Sequence, residues 1–245
     1  MTQSETEFLK LYKPDAFERP NASVDTAIFT VIAGELNVLL VKREHHPYQG
    51  QWSLVGGFID LEADASLEDT AKRKLFEKTG VKTPYLEQWG TIGNKTRDPR
   101  YWSITTVYFA LIPEKNVQLR VGEGATSIEW TKVDKGGSVR QELAFDHAYI
   151  LKECYKRLRQ KVLYTSLPLF LMDETFTLGE LQKTYEVLIG DEVETKSFRR
   201  RILSADLVRE TGKMHESGHR PAKLYEFVKR KEPHFFVRNI EGVSL

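Results

Sequence analysis

The segment that most constrains the fold of this chain begins at the double glycine Gly56–Gly57 and ends at Gly80. Ser66 can cap a helix, and Asp69 follows three residues later, as in a capping box. Apolar residues then recur at every fourth position, which predicts one buried helix face; they are Leu67, Ala71 and Leu75. Gly80 is the left-handed residue that commonly ends a helix. The segment therefore predicts a tight glycine turn followed by a capped amphipathic helix.

Strand patterns surround this helix on both sides. Runs of β-branched and aromatic residues predict four strands, at 27–33, 36–43, 85–92 and 103–112. The first two are joined by the turn signal Gly34–Glu35 and should form a hairpin. A longer helix is expected at 146–165, and Pro168 cannot continue it. Strands mixed with helices in this order predict an α+β fold.

The last third of the chain has a different pattern. Thr177 and Glu180 form a capping box at the start of a helix that Gly190 ends. After a short turn at 191–194, a second helix is predicted at 195–204, with one apolar face and a run of three arginines. Two short strands then flank a basic loop, and they lie at 207–211 and 222–227.

Composition limits what these elements can build. The 245 residues are 40% hydrophobic and 29% charged, as in soluble proteins, and they are enough for two modest domains. The single cysteine, Cys154, excludes an internal disulfide. No apolar run approaches the ~20 residues of a membrane span, and the N-terminus lacks a signal peptide, so we expect a cytoplasmic protein. Residues 151–245 hold 18 Lys and Arg against 14 Asp and Glu, whereas residues 1–150 hold 18 against 21, which favours a polyanion contact in the C-terminal part.

The segment between the glycines resembles the Nudix box, whose pattern is G-x5-E-x7-R-E-U-x-E-E-x-G-U, with U an aliphatic residue. Gly57, Leu75 and Thr79–Val81 fit this pattern once two extra residues are allowed after the double glycine. With the hairpin and the later strands, the resemblance extends over roughly residues 25–150. It implies a Nudix-like α/β/α sandwich with a mixed sheet.

Most carboxylates of that motif are missing. The family's R-E-U-x-E-E falls on residues 73–78, where Lys74 and Lys78 replace two glutamates, Glu77 is kept, and Ala65 stands at the first glutamate. Positions 74, 77 and 78 share one helix face, where three carboxylates would suit Mg²⁺. Two lysines repel Mg²⁺, and diphosphate hydrolysis then lacks its Lewis acid. We therefore expect no metal site, no required cofactor and no enzyme activity.

Two interpretations of these lysines remain open. They form a solvated helix face, or they hold the diphosphate of a ligand directly in place of the metal. Trp52 and Phe58 either pack in the core or stack on a base, and Asp146–His147 either lines the pocket or caps a helix. Arg97 lies in the same loop as Asp98 and Arg100, near the expected cleft. The predicted ligand-binding residues are Arg43, Trp52, Gly57, Phe58, Lys74, Glu77, Lys78, Asp98 and Arg100.

The second C-terminal helix and the basic loop after it predict a DNA-binding surface. The second helix of a helix-turn-helix enters the major groove and places its N-terminal residues at base edges. Phe198 and Ile202 should face the core of the domain, and a basic wing suits phosphate or minor-groove contacts. The alternative is a solvated helix face. The predicted DNA-binding residues are Thr195, Lys196, Ser197, Arg199, Arg200, Arg201, Lys213, His219 and Arg220.

A Nudix-like domain followed by a winged helix resembles a bacterial family of Nudix-related transcriptional regulators. Phe198–Arg200 before an aliphatic stretch, and Arg-Pro-Ala-x-Leu-Tyr at 220–225, carry this likeness. The resemblance implies repression of NAD-metabolism genes, ADP-ribose as effector, and a homodimer on a palindromic site in double-stranded DNA. It implies a ligand-sensing and dimerisation domain at 1–150, a connecting helix at 151–167 and a winged helix-turn-helix domain at 168–245.

Two other functions are compatible with parts of the sequence. One is an active Nudix hydrolase, an ADP-ribose pyrophosphatase with an accessory basic domain, which would have to tolerate Lys74 and Lys78. The other is a degenerate Nudix scaffold that binds only a protein partner. It gives no reason for the basic helix and wing. Metal-dependent release of AMP from ADP-ribose identifies the first, and DNA binding excludes the second.

Overall fold

The computed structural model describes residues 4–82, 85–215, 221–228 and 232–237. Its strands are β1 Asn21–Ile32, β2 Glu35–Arg43, β3 Trp52–Ser53, β4 Val55–Phe58, β5 Tyr85–Asn94, β6 Ser103–Leu111, β7 Ala125–Lys132, β8 Phe176–Thr177, β9 Val208–His215 and β10 Ala222–Phe227. Its α-helices are α1 Glu5–Leu11, α2 Leu67–Thr79, α3 His147–Tyr164, α4 Leu178–Ile189 and α5 Thr195–Ser204. Short 3₁₀ helices cover Pro14–Ala16, Glu114–Asn116 and Leu167–Leu171.

Strands β1 to β7 form one mixed sheet with β1 at its centre. β1 pairs in parallel with β6, and antiparallel with β2 at one end and β4 at the other. β5 pairs with β6, whereas β3 and β7 pair with β2. The predicted hairpin is confirmed, since Phe29 faces Val38 across β1 and β2. The sequence pattern does not predict β7, because four of its eight residues, Ser127 to Trp130, are only half-buried and its apolar residues do not alternate regularly.

Helices cover both faces of this sheet. Successive residues of a strand point to opposite faces, so Ile28 packs with Leu75 of α2 while Phe29 packs with Leu151 of α3. The α/β/α sandwich predicted from the sequence is therefore confirmed. Ser66 caps α2 and Gly80 ends it in the left-handed conformation, as expected. Leu67 is 38% exposed, so its predicted place in the buried stripe of α2 is wrong.

The helix α3 is an outer layer of the sandwich and not a connecting helix confined to 151–167. It begins at His147, and Ile150 and Leu158 lie in the same buried cluster as the strands. Pro168 follows the helix as expected, and it lies in a buried 3₁₀ helix. The apolar stripe of a helix indicates burial but does not reveal which element covers it, so the sequence alone could not make this distinction.

The C-terminal part is a winged helix: α4 and α5 pack beside a small sheet in the order β8-β10-β9. The predicted capping box of Thr177 and Glu180 is present, and Gly190 ends α4. One buried cluster runs from the large sheet through α3 to α4 and α5. Tyr185 of α4 donates a hydrogen bond from its hydroxyl to the carbonyl of Thr165, at 2.9 Å. The two parts of the chain thus share a continuous core.

No helix among the described residues has the length and apolar character needed to cross a membrane.

Candidate functional site

A cleft of about 390 Å³ opens where β1, β2, β4 and the end of α2 meet the loops before β6, β7 and α3. It brings together six of the residues predicted to bind a ligand, which are Arg43, Gly57, Phe58, Lys78, Asp98 and Arg100. Trp52, Lys74 and Glu77 are not among the residues that line it. Trp52 instead packs against the core, with the Lys42 ammonium 5.9 Å from its ring centroid.

Two arginines with aromatic neighbours form the walls of the cleft. The Arg43 guanidinium lies 4.7 Å from the ring centroid of Phe145, and that of Arg100 lies 5.3 Å from the ring centroid of Phe58. Burial, followed by the nearby charge of Arg100, lowers the pKa of Arg43 from its usual value. Arg100 donates from Nε and NH2 to the two carboxylate oxygens of Asp98, at 3.0 and 2.7 Å. Both guanidinium groups are therefore held in place before any anion arrives.

The double glycine allows β4 to approach its neighbours closely. A Cβ on Gly56 would lie 2.3 Å from the Asp25 carboxylate and 2.5 Å from the carbonyl oxygen of Val24. A Cβ on Gly57 would lie 2.9 Å from Cε of Lys74. Packing therefore requires glycine at position 56, where the backbone of β1 is in the way, whereas at position 57 the flexible Lys74 side chain could shift to make room.

The α2 face that carries the metal ligands of the Nudix box does not fit a divalent cation here. Oε1 of Glu77 accepts a hydrogen bond from Arg73, and Oε2 accepts one from Lys74, each at 3.0 Å. This single carboxylate is thus bound by two cationic side chains. In the described parts of the chain, no three His, Cys, Asp or Glu side chains come together as a possible metal site.

Lys78 has a different arrangement from Lys74. Its ammonium group donates to the main-chain carbonyls of Val121 at 2.7 Å and Glu123 at 2.8 Å, which attaches α2 to the loop before β7. Burial lowers the pKa of Lys78. An ammonium group has three donors, so at most one is left for a ligand. Lys74 does not line the cleft. Of the two lysines proposed to hold a diphosphate, only Lys78 is therefore in place, and it has one donor free for the ligand.

A buried ionic network forms the floor of the cleft. Arg97, only 8% exposed, donates from Nε and NH2 to the two oxygens of Asp146, at 3.1 and 3.0 Å. NH2 also reaches Asp25 at 3.3 Å, and NH1 reaches the Ser103 hydroxyl at 2.9 Å. The sequence analysis placed Arg97 in a loop near the site and left a pocket role open for Asp146, but it did not name Asp25. The signal available for Asp25 was a carboxylate inside an otherwise apolar strand.

His147 closes the network on the other side. Its Nδ1 accepts a hydrogen bond from the backbone N–H of Leu54 at 3.0 Å, and its Nε2 lies 3.6 Å from the Asp25 carboxylate. Burial lowers the pKa of His147, so the ring is neutral near pH 7. His147 lines the cleft. Asp146 is not among the lining residues but binds Arg97, which is. It occupies the N-cap position of α3 without a capping bond from its side chain.

The helix α5 presents most of the residues predicted to contact DNA. Phe198 and Ile202 are buried as expected. Glu194 caps the helix by accepting from the backbone N–H groups of Lys196 and Ser197, at 2.9 and 2.7 Å, a cap that the sequence reading missed. The predicted DNA-binding residues of α5 that are exposed are Thr195, Lys196, Arg199 and Arg200. Ser197 and Arg201 are half-buried, and the Arg201 guanidinium lies 5.6 Å from the ring centroid of Phe236.

The wing is longer than predicted. β9 continues to His215, so Gly212, Lys213 and His215 belong to a strand and not to the loop where we expected them. Pairing of His215 with Ala222 extends the hairpin to this point. Lys213 is exposed on the strand. His219 and Arg220 lie outside the described residues.

Comparisons with known proteins agree with this architecture. Residues 23–154 match the NUDIX domain model, and residues 168–227 match the NrtR DNA-binding winged helix domain model. The ADPR responsive transcriptional repressor NtrR of Acinetobacter baylyi is 44% identical over 238 residues, which cover 97% of this chain and 94% of the relative.

Two solved structures are also similar. Shewanella oneidensis NrtR complexed with a 27mer DNA is 43% identical with a TM-score of 0.83, and the match covers 90% of this chain and 99% of that one. The NUDIX domain of the same protein complexed with ADP ribose is 41% identical with a TM-score of 0.59, over 64% of this chain and 99% of that one. The predicted family is confirmed. This chain belongs to the NrtR family, in which a NUDIX domain is joined to a DNA-binding winged helix domain.

Proposed function

We propose that this protein is a transcriptional repressor of NAD-metabolism genes that senses ADP-ribose in the cleft of its NUDIX domain. The observation that carries this proposal is the combination of a cationic cleft with aromatic walls and an exposed basic helix α5 around one continuous core. The similarity to a repressor that responds to ADPR supports the choice of effector. The protein would act in the cytoplasm.

The chemistry of the cleft suits a nucleoside diphosphate sugar. Arginine forms planar, bidentate contacts with phosphate oxygens, and Arg43 and Arg100 stand at the walls. The rings of Phe58 and Phe145 offer faces on which a base could stack. The remaining donor of Lys78 adds a point charge near the same volume.

The cleft would hold ADP-ribose without hydrolysing it. Lys74 and Lys78 stand where the Nudix box has glutamates, and Glu77 is bound to two cations. A divalent metal would therefore lack ligands here, and without the metal no water is activated for hydrolysis. Incubation of the purified protein with ADP-ribose and Mg²⁺ or Mn²⁺ should release no AMP above a buffer control. Release at enzyme-like rates, typically about 1–10³ per second, would support the hydrolase alternative instead.

A homodimer on a palindromic operator is part of the same proposal. Two recognition helices related by a two-fold axis read two half-sites of a palindrome. The basic surface of α5 supports DNA binding, and the dimer itself stays a prediction. Mass measurement by light scattering, with and without operator DNA, tests it.

The decisive experiment is a DNA titration at constant salt. DNA fragments from upstream of NAD-biosynthesis genes are titrated with the full chain, with and without ADP-ribose, and a shuffled fragment serves as control. Salt is held constant because the phosphate contribution to affinity depends steeply on it. Specific binding that ADP-ribose alters supports the proposal. Equal affinity for the shuffled fragment, or no effect of ADP-ribose, would contradict it.

A further inference from the structure

Asp146 occupies the N-cap position of α3 but does not cap that helix. Aspartate is one of the preferred N-cap residues because its carboxylate accepts from the first free N–H groups of a helix. Here the side chain makes no such bond. Both oxygens accept instead from Arg97, at 3.1 and 3.0 Å. Two sets of donors therefore compete for one carboxylate, namely the guanidinium of Arg97 and the N–H groups at the start of α3.

Arg97 is the partner that a ligand could take away. It lines the cleft, and its side chain is only 5% exposed. Its other contacts, with Asp25 and Ser103, would keep it in the cleft floor if it released Asp146. A phosphate group in the cleft offers a guanidinium the same planar pair of acceptor oxygens that Asp146 offers.

The helix α3 connects this site to the DNA-binding domain. At its start, His147 lines the cleft and Asp146 binds Arg97. At its other end, the carbonyl of Thr165 accepts a hydrogen bond from Tyr185 of α4. Arg159 of α3 also donates to the carbonyl of Ile189, at the end of α4. The Tyr185 ring lies 5.2 Å from that of Phe198 in α5. A change at the start of α3 is thus linked by direct contacts to the recognition helix.

We propose that Arg97 binds the phosphate groups of the effector and that Asp146 is the positioning residue that transmits this event to α3. Without effector, Asp146 is paired with Arg97. With effector, Arg97 turns to phosphate, Asp146 caps α3, and the packing of α3 on α4 changes. This inference rests on the proposed function and names the step by which the same cleft regulates DNA binding.

The variant Asp146→Asn tests whether residue 146 exchanges Arg97 for the N–H groups at the start of α3. Asparagine caps a helix as well as aspartate does. Its amide has one acceptor oxygen and no charge, so it cannot offer Arg97 the two carboxylate oxygens that Asp146 offers. The variant should therefore resemble the effector-bound state. We expect ADP-ribose to bind more tightly, by about five-fold at least, because coupling between two sites is reciprocal. We also expect the affinity for DNA without effector to move towards the wild-type value measured with saturating ADP-ribose.

Two further variants and one structural measurement complete the test. Glu153→Gln makes the same chemical change elsewhere on α3 and should leave both affinities unchanged, whereas Asp146→Ser, which also caps without pairing, should reproduce Asp146→Asn. Hydrogen exchange should slow at the first turn of α3 when ADP-ribose is added to the wild type. A merely structural role of Asp146 predicts weaker ADP-ribose binding, so unchanged or weaker binding overturns the proposal.

The DNA measurement separates the inference from the function beneath it. Suppose that DNA binding by the wild type responds to ADP-ribose, but that Asp146→Asn binds DNA without effector as the wild type does. The transmission through Asp146 is then wrong, and the proposed function stands. If the wild type binds ADP-ribose without any effect on DNA binding, the proposed function fails and the inference fails with it.

Discussion

Position 56 requires glycine because β4 and β1 meet where a Cβ would lie. A Cβ there would lie 2.3 Å from Oδ1 of Asp25 and 2.5 Å from the main-chain oxygen of Val24. The backbone oxygen cannot move without displacing β1, the central strand. Overpacking of this kind costs about 1–3 kcal/mol, and occasionally more.

Gly56→Ala should therefore lower the free energy of unfolding by about 3 kcal/mol. Urea denaturation of the purified variant measures this loss. Gly90→Ala is the matched control, because a Cβ at Gly90 meets nothing within 4 Å, and it should remain close to wild type. Equal stability of the two variants would mean that β4 can move away from β1 at little cost.

His147 gives the protein a predictable dependence on pH. Burial lowers the pKa of this ring below its ordinary value of 6.5, so the folded state binds fewer protons than the unfolded chain just below that pH. Stability then rises with pH up to 6.5 and falls as the pH is lowered, by up to about 1.4 kcal/mol per pH unit.

His147→Asn should remove this dependence in the pH range just below 6.5. The amide oxygen of asparagine can accept the hydrogen bond that Leu54 N–H donates to Nδ1. Thermal unfolding at a series of pH values compares the variant with the wild type and with His45→Asn, which alters an exposed ring. Parallel curves for all three proteins in that window would contradict the assignment to His147.

At the scale of elements, the sequence was most informative where helices begin and end. Thr177 accepts a hydrogen bond from Glu180 N–H at 3.1 Å, and the Glu180 carboxylate accepts one from Thr177 N–H at 2.7 Å. These are local contacts, so the pattern of residues predicts them. The role of α3 and the presence of β7 depend on partners far along the chain, and local patterns cannot reveal such partners.

Thr177→Ala should reduce stability by about 1 kcal/mol through loss of the cap of α4. Thr177→Ser keeps the hydroxyl and should be close to wild type. Both are measured by denaturant unfolding of the full chain. Because α4 packs on α5, we expect the alanine variant also to lose DNA affinity when it is measured near its unfolding temperature. A serine variant as unstable as the alanine variant would assign the loss to the missing methyl group.

At the scale of the whole molecule, basic side chains are found on two separate surfaces, the helix α5 and the cleft of the NUDIX domain. We propose that the exposed basic side chains of α5 contact DNA and that the arginines of the cleft contact an anionic ligand. The two surfaces belong to different domains that share one core. Loss of a single cation on α5 should therefore leave the affinity of the cleft for its ligand unchanged.

Arg200→Ala should weaken operator binding and leave ADP-ribose affinity unchanged. If Arg200 contacts a phosphate, the slope of log affinity against log salt should fall by about one. Fluorescence anisotropy at several salt concentrations measures both quantities. Lys152→Ala, an equal change of charge on the exposed side of α3, is the control. Wild-type operator affinity in Arg200→Ala would contradict its place on the recognition surface.

The sequence by itself determined the main helices, most of the long strands and the family of this protein. Caps, apolar periodicity and turn glycines act over a few residues, and motif spacing along the chain pointed to the two domains. The tertiary structure alone decided which of the candidate side chains meet. It brought Arg43 and Arg100 into the cleft and left Trp52 out. It paired Arg97 with Asp146 and Asp25. It also placed the Lys78 ammonium in a hydrogen bond with the loop before β7. These contacts join positions far apart in the chain, and their geometry depends on the packing of the sheet and helices between them.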